Sequence, residues 1–337
     1  MAEAHYHYLI VGGLREDYCI THDGRVTEGA QGGNAAYAGA GAALWNRSVG
    51  LLSRVGCNYP SQWLEQLQRV GFDVSGVVVL PEPQDTRTFY AYLSPVDRVD
   101  TNPAFHYQRI GRPLPKALLD YRTSTEGQQW TDRLAALAVR PEDLPAGLAG
   151  VQGAHLAPAD FLTHSLIPIH LRRAGVSVVT LDPSSRYMEP NFHRELPGLV
   201  RGLDAFLPSQ AEARSFFEPR PPALWEMAEG LAAMGCRFVV LKSGGDGQFA
   251  YDAAAGRRWH IPAYPARVHD VTGAGDAFCG GFLVGLTETG DLVEACLRGS
   301  VSASLAIEGV GALYALGAAS GLAQARLEAL RDNVRQA

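Results

Sequence analysis

Two scarcities narrow the chemistry before any motif is read. The chain has only five cysteines among 337 residues, Cys19, Cys57, Cys236, Cys279 and Cys296. They are odd in number, scattered and without C-x-x-C spacing, which excludes a disulfide framework or a zinc cluster and suits free thiols in a reducing compartment. Runs of Lys and Arg are missing and the formal net charge is -6, so neither a nucleic acid nor an anionic membrane is expected as the main partner. No apolar stretch is long enough to span a bilayer, and Met1 to Tyr8 lack the basic start and apolar run of a signal peptide. These features predict a cytoplasmic protein with a small-molecule partner. His5 and His7 alternate with Tyr6 and Tyr8 as at the edge of a strand, with no third ligand nearby to make a metal site.

What the chain does have is apolar mass and glycine: 47% hydrophobic residues and 37 glycines, enough for one large α/β domain or two ordinary ones. The most informative stretch is Asp270-Val271-Thr272-Gly273-Ala274-Gly275-Asp276-Ala277-Phe278-Cys279-Gly280-Gly281-Phe282, a glycine-rich turn running into a helix. Gly273 and Gly275 permit backbone angles that let successive amides point into one concavity at a helix N-terminus, where the dipole favours an anion. Asp276 stands one residue away and can accept the proton of an attacking hydroxyl while those amides hold phosphoryl charge. The simpler alternative is that Thr272 or Asp276 only caps the helix.

The full string D-x-T-G-A-G-D-A-F-x-G-G-F resembles the C-terminal signature of the ribokinase-like (PfkB-type) carbohydrate kinases. That resemblance implies Asp276 as catalytic base and the Gly273, Ala274 and Gly275 backbone as the anion hole. Tyr8 to Gly13 reads as a buried strand ending in a glycine turn. A Rossmann dinucleotide site would need a helix to follow, whereas Leu14 to Ile20 looks extended. In the family an Asp shortly after this strand binds substrate hydroxyls, a place taken here by Asp17. Gln31-Gly32-Gly33-Asn34 leading into an Ala-rich helix resembles the N-terminal G-G-x-x-x-N motif, which makes Gly33 and Asn34 substrate contacts; Tyr37 stands where the family most often has Asn.

Val49 to Val55, Ser61 to Val70 and Gly71 to Val77 follow the strand, helix, strand rhythm of a doubly wound sheet. Residues 85–92 and 104–108 alternate like exposed strands and, with residues 14–30, predict a small β-lid. Its aromatics, Phe89, Tyr90, Tyr92, Phe105 and Tyr107, are either packing or a platform for a nucleobase. Residues 111–136 fit no family pattern and read as a surface insertion.

Ser209-Gln210-Ala211-Glu212 is both a capping box and the family's N-x-x-E, whose Glu supports a magnesium and phosphate network; Glu212 matches and Ser209 does not. Phe238 to Asp252 reads as strand, glycine turn, strand, which is a plain hairpin or, by resemblance, a nucleotide-lining loop with Lys242, Gly244 and Gly247. Gly309 to Ala312 is similar to a loop that serves a monovalent cation in some members, a site that Asp270 and Thr272 would share. The expected fold is α/β and ribokinase-like: one domain over residues 1–337, three layers α/β/α with a mostly parallel central sheet, and a discontinuous β-lid near 14–30 and 85–110. The expected activity is phosphorylation of a sugar-like hydroxyl with ATP, Mg2+ and in some members K+, and with a homodimer through the lid. A nucleoside kinase of the same fold and a catalytically impaired ligand-binding relative are the alternatives.

Overall fold

The computed structural model describes residues 5–95 and 97–337. Short runs of β-branched and aliphatic residues bounded by glycine form the strands of a large sheet, because side chains buried on both faces select continuous apolar sequence. In chain order its strands are β1 (Tyr8–Val11), β4 (Val49–Gly56), β5 (Asp73–Leu80), β8 (Gly153–Leu156), β9 (Val178–Leu181), β10 (Ala205–Phe206), β11 (Phe238–Lys242), β12 (Gln248–Asp252), β13 (Arg257–Ile261) and β14 (Arg335–Gln336). Four others, β2 (Arg15–Ile20), β3 (Val26–Gly32), β6 (Arg87–Tyr92) and β7 (Arg98–Val99), make a second, smaller sheet.

The large sheet runs β14-β13-β12-β11-β10-β9-β8-β1-β4-β5, parallel from β11 to β5 and antiparallel from β11 to β14. From β1 the chain builds outward to β4 and β5, then returns to the other side of β1 to lay down β8. That reversal of strand order opens a crevice at the carboxyl ends of β1 and β8, where open α/β sheets bind ligands. The helix that carries the signature, Ala274–Thr289, packs beneath this crevice between the helices Asn34–Ala43 and Leu292–Ala306. Small residues allow that approach: a Cβ on Gly280 would meet the Ala38 carbonyl oxygen at 1.8 Å. Core residues such as Ile10, Leu51, Leu283 and Val284 pack together on this side, fixing the helix to the sheet.

The second sheet has the order β3-β2-β6-β7 and stands over the crevice. Its strands divide the aromatics by face, as the period of two requires. Phe89 joins Tyr18, Ile20, Ala91, Tyr107 and Leu118 in a small core of its own, whereas Tyr90 lines the cleft and the Tyr92 hydroxyl meets Thr272.

One expectation fails here. Residues 104–108 are not a strand but part of a helix, Pro103–Arg109. Asn102 accepts a hydrogen bond from the Phe105 amide and Pro103 occupies the first turn, an N-terminal signal that overrides the alternation of Phe105 and Tyr107. Residues 111–136 are irregular apart from one short turn and largely exposed, and they anchor to the lid and the cleft at a few points. Leu118 is buried in the lid core, the Tyr121 hydroxyl accepts from the Phe89 amide at 3.1 Å, and Gln128 reaches the cleft. The face of the lid left open for a second copy is therefore covered by the chain itself.

Candidate active site

The cleft lies between the carboxyl end of the large sheet and the inner face of the lid, and it brings together Asp17, Gly33, Asn34, Glu212, Thr272, Gly273 and Asp276. Four parts of the sequence, more than 200 positions apart at their extremes, thus meet at one place.

At its floor, Gly273 has φ 76° and stands as the N-cap of the signature helix. A Cβ there would fall 2.1 Å from Cδ1 of Tyr37, so the turn requires glycine both for its left-handed backbone and for room. The Ala274 amide bonds the Val271 carbonyl at 3.2 Å. Of the backbone expected as an anion hole, Ala274 therefore holds the turn instead of offering its N–H. First-turn amides lack intrahelical acceptors, which leaves those of Gly275 and Asp276 for an anion. The space in front of Gly275 is open up to the Lys242 ammonium, whose Nζ lies 3.5 Å from where a Cβ would sit.

Lys242 does not point along the glycine loop as expected of a nucleotide ligand. It ends β11 and forms a buried ion pair with Asp182, which follows β9. Cys279, one turn into the signature helix, donates to the same Asp182 Oδ2 at 3.5 Å and lies 3.7 Å from Nζ. Burial pushes Asp182 up to about 7 although Lys242 pulls the other way, and the ammonium is held charged by Asp182 and Glu212. Gly244 and Gly247 form the following turn outside the cleft lining. A Cβ at Gly247 would strike the Ile261 carbonyl oxygen at 2.1 Å, so that glycine serves the close passage of β13.

Asp276 is raised above the ordinary carboxylate range, first by burial, with Lys242 and Arg98 opposing and Glu212 reinforcing. A half-buried carboxylate beside two cations and a helix N-terminus stays available as a base while its basicity rises. Arg98 had no motif to reveal it. It comes from the lid, stacks over the Tyr90 ring with its guanidinium carbon 4.1 Å from the centroid, and lines the cleft with Asp276.

Asp17 is almost wholly buried. Burial lifts it to about 7, aided by Asp276 and Asp270, while the Gly33 amide and the Tyr37 hydroxyl bond the carboxylate and pull it down. Asn34 faces the same space, but its amide is engaged at both ends: Oδ1 accepts from Gly13 at 2.7 Å and Nδ2 donates to Pro158 at 2.7 Å. It ties the loop after β1 to the loop after β8. One N–H of Nδ2 and one lone pair of Oδ1 remain beyond these bonds, and Asn34 lines the cleft.

Ser209 and Glu212 close a capping box, with the Ser209 amide and hydroxyl both donating to Glu212 Oε2, at 2.7 and 2.8 Å. Glu212 lines the cleft, and its second carboxylate oxygen is not needed by the cap. Asp270 accepts from the Thr272 amide at 2.9 Å, and the Thr272 hydroxyl turns to Cys19 and Tyr92 of the lid, at 3.3 Å each. Both are buried. Among the described residues no three His, Cys, Asp or Glu side chains form a ready metal cage. Mg2+ needs none: it keeps several waters and takes one or two carboxylates plus substrate phosphates. The carboxylate oxygen that Glu212 leaves free of the cap, in the cleft lining, fits that ion.

Residues 169–317 match the model of the pfkB family carbohydrate kinase family. Among curated proteins, the chain is 28% identical over 295 residues to a cytidine kinase of Thermococcus kodakarensis, covering 86% of this chain and 91% of that one. It is 24% identical over 258 residues to a 5-dehydro-2-deoxygluconokinase of Shouchella clausii, covering 71% and 76%. Among solved structures, it superposes with a TM-score of 0.69 on an E. coli protein described as Ribokinase II in complex with ATP and Mg2+, at 16% identity and over 97% of this chain and 99% of that one. A nucleoside kinase of Burkholderia thailandensis gives 0.67 at 18% identity, over 96% and 95%. These likenesses show the ribokinase fold.

Proposed function

We propose that this chain is a carbohydrate kinase of the pfkB type and that its cleft transfers the γ-phosphoryl group of ATP to a hydroxyl of a sugar or of a sugar-bearing small molecule, with Asp276 as general base. The observation that carries this reading is the placement of Asp276 and the amides of Gly275 and Asp276 at one helix N-terminus, facing Asp17 across the cleft. Bound Mg-ATP supplies the phosphoryl group and a dication that neutralises phosphate charge.

Asp17 accepts hydrogen bonds from acceptor hydroxyls and fixes the molecule so that one hydroxyl points to Asp276. Asp276 takes the proton of that hydroxyl as the new O–P bond forms. The helix amides, with Lys242 behind Gly275, hold the charge on the phosphoryl oxygens. Arg98 adds a cation from the lid side and shields the site from water. Glu212 orients the hydrated Mg2+ with the oxygen left over from its cap. Gly244 and Gly247 shape the turn at the nucleotide end of β11. Asp270, whose amide bonds the Ile307 carbonyl just before the Gly309 to Ala312 loop, and Thr272 would hold a K+ ion that stiffens the anion turn; rate measured in K+ against a large organic cation tests that.

A nucleoside acceptor is the second reading, favoured by Tyr90 lining the cleft and standing outside the lid core. Five unpaired cysteines fit a cytoplasmic setting; among the described residues no helix is long and apolar enough to cross a membrane. A homodimer through the lid would use an edge of the small sheet, β3 or β7, since the aromatic face is covered, and light scattering of edge-strand variants tests it. Turnover of ATP against sugars and nucleosides tests the activity, and its absence with all of them would overturn it.

A further inference from the structure

Tyr92 ends β6 and belongs by alternation to the face of the lid that looks toward the cleft: Phe89 and Ala91 turn to the lid core, whereas Thr88 and Tyr90 line the cleft. Its residue is 4% exposed. What sets it apart is its oxygen, which has one partner in the body and one in the lid. On the body side it accepts from the Thr272 hydroxyl at 3.3 Å, and Thr272 immediately precedes Gly273, the N-cap of the signature helix. On the lid side it accepts from Arg98, which stands directly opposite Tyr92 in the register of β6 and β7. Burying a tyrosine ring needs no hydroxyl, and satisfying a hydroxyl needs one partner; joining two bodies needs two.

Arg98 is the group that this link controls. It lies on β7, a strand of two residues at the edge of the small sheet with β6 as its neighbour. A long flexible side chain on such an edge carries its charge through a wide arc unless something holds the tip. Two tyrosines of β6 hold it. The guanidinium carbon lies 4.1 Å from the centroid of the Tyr90 ring, a contact that still lets the cation slide and turn in its own plane. The bond to the Tyr92 oxygen stops both motions. So held, Arg98 lines the cleft with Asp276, and each feels the charge of the other. Because the same oxygen is tied to Thr272, the lid cation is referred to the anion turn through a single atom and not through the length of the lid.

We propose that Tyr92 is a positioning residue for the transfer step: its hydroxyl, tied to Thr272, aims the Arg98 guanidinium at the phosphoryl group as that group passes in front of Asp276. A cation fixed in advance where charge develops needs no reorganisation at the moment of reaction. The inference rests on the reading of the Asp276 helix N-terminus as the phosphoryl site.

Tyr92→Phe keeps the ring and removes the oxygen. In the full chain it should lower kcat about 10- to 100-fold, the range of a hydrogen bond to a charged group and of a small displacement at a reacting centre. KM for ATP, and for whichever sugar or nucleoside turns over fastest, should stay within about twofold, since the interaction matters in the transition state alone. Arg98→Met should lower kcat at least as far, and Tyr92→Phe added to it should lower kcat no further, because the oxygen then has nothing to aim.

The pH profile separates positioning from packing. Asp276 faces the cations Lys242 and Arg98 and the carboxylates Glu212, Asp17 and Asp182, with the Tyr90 hydroxyl and the Cys279 thiol also within reach of its charge. Of these, Tyr92 holds Arg98. Loosening a cation that favours the ionised carboxylate should move the acid limb of kcat to higher pH, in Tyr92→Phe and Arg98→Met alike. A ring that only fills space moves neither. An arm that needs no acceptor is the affinity for Mg-ADP with and without aluminium fluoride, a mimic of the transferring phosphoryl group: the wild type should gain affinity from the fluoride, and Tyr92→Phe should lose most of that gain while binding Mg-ADP as before.

Melting curves report the folding of each variant. Wild-type kcat in a folded Tyr92→Phe, an unmoved acid limb, or losses that multiply when Arg98→Met is added would overturn the proposal. Asp276→Asn separates the two claims. Loss of turnover by that variant, together with the shared effect of Tyr92→Phe and Arg98→Met, upholds both; full turnover removes the base, and the fluoride arm then judges Tyr92 by itself.

Discussion

The Tyr37 ring fills the volume that any side chain on Gly273 would need, with Cδ1 2.1 Å from the position of a Cβ. The same tyrosine bonds the Asp17 carboxylate through its hydroxyl. One buried side chain therefore supports the turn under the phosphoryl site and the carboxylate expected to hold the acceptor, a task that a smaller Asn at this position could not perform in the same way.

From that contact, Gly273→Ala should lose nearly all turnover and melt at lower temperature. Two costs act at once, the clash with Tyr37 and the left-handed backbone at φ 76°. Gly273→Ala combined with Tyr37→Ala should recover part of the melting temperature, since only the clash is relieved, and little of the rate. Equal turnover of Gly273→Ala and wild type would refute the tight turn.

Asp17 gives a prediction with a sign. Its pKa is about 7 in the fold against an ordinary 3.8, so the folded state keeps a proton that the unfolded chain releases. Stability contributed by this group is greatest below pH about 4, falls as pH rises toward about 7, and is level above. Asp17→Asn should remove that slope and, at pH 8, melt at least about 2 °C above the wild type, the response of a domain to roughly 1 kcal/mol. It should also raise KM for the acceptor. Melting curves at pH 5 and pH 8 check it; a variant less stable than the wild type at pH 8 would show that the Asp17 charge is well compensated.

Lys242 and Asp182 form a pair whose side chains are 13% and 5% exposed. Lys242→Met should cost about 3–5 kcal/mol by stranding a buried carboxylate. Adding Asp182→Asn should restore much of it, because an apolar residue facing a neutral amide leaves no unpaired charge. Denaturant titration of the two single variants and the double decides the matter, and additive losses would mean the pair is not coupled.

How much of this could be read from the sequence differs from element to element. The signature turn, Asp17 and the Gly32-Gly33 entry were legible because each is a local pattern with its own backbone requirement. The helix at Pro103 carried its signal in Asn102 and Pro103, but the aromatic alternation beside it reads as strand. The places of Tyr37, Asp182 and Gln128 in and around the cleft were not legible, since they depend on contact across the fold: Gln128 meets Ser184 56 positions away. No spacing rule supplies such a pairing. Lys242 was legible at the end of its strand, but its ion pair with Asp182, 60 positions away, was not.

Glu212 and Ser209 separate magnesium from capping. Ser209→Ala should cost about 1 kcal/mol, the worth of an N-cap, and leave the Mg2+ dependence of the rate nearly unchanged. Glu212→Gln should raise the Mg2+ concentration at half-maximal rate and lower kcat, because the oxygen not used by the cap loses its charge. Mg2+ titrations of both, read beside their melting curves, check the division; a shift with Ser209→Ala alone would contradict it.

The most direct measurement is the rate of phosphoryl transfer from ATP by Asp276→Asn under conditions where nucleotide and acceptor binding are shown to be intact. The account predicts a fall in kcat of at least about 100-fold, the scale of a lost general base, together with loss of the acid limb that a raised Asp276 pKa places above the ordinary carboxylate range in the wild type. Near-normal turnover by a properly folded variant, with the wild-type pH profile, would contradict it.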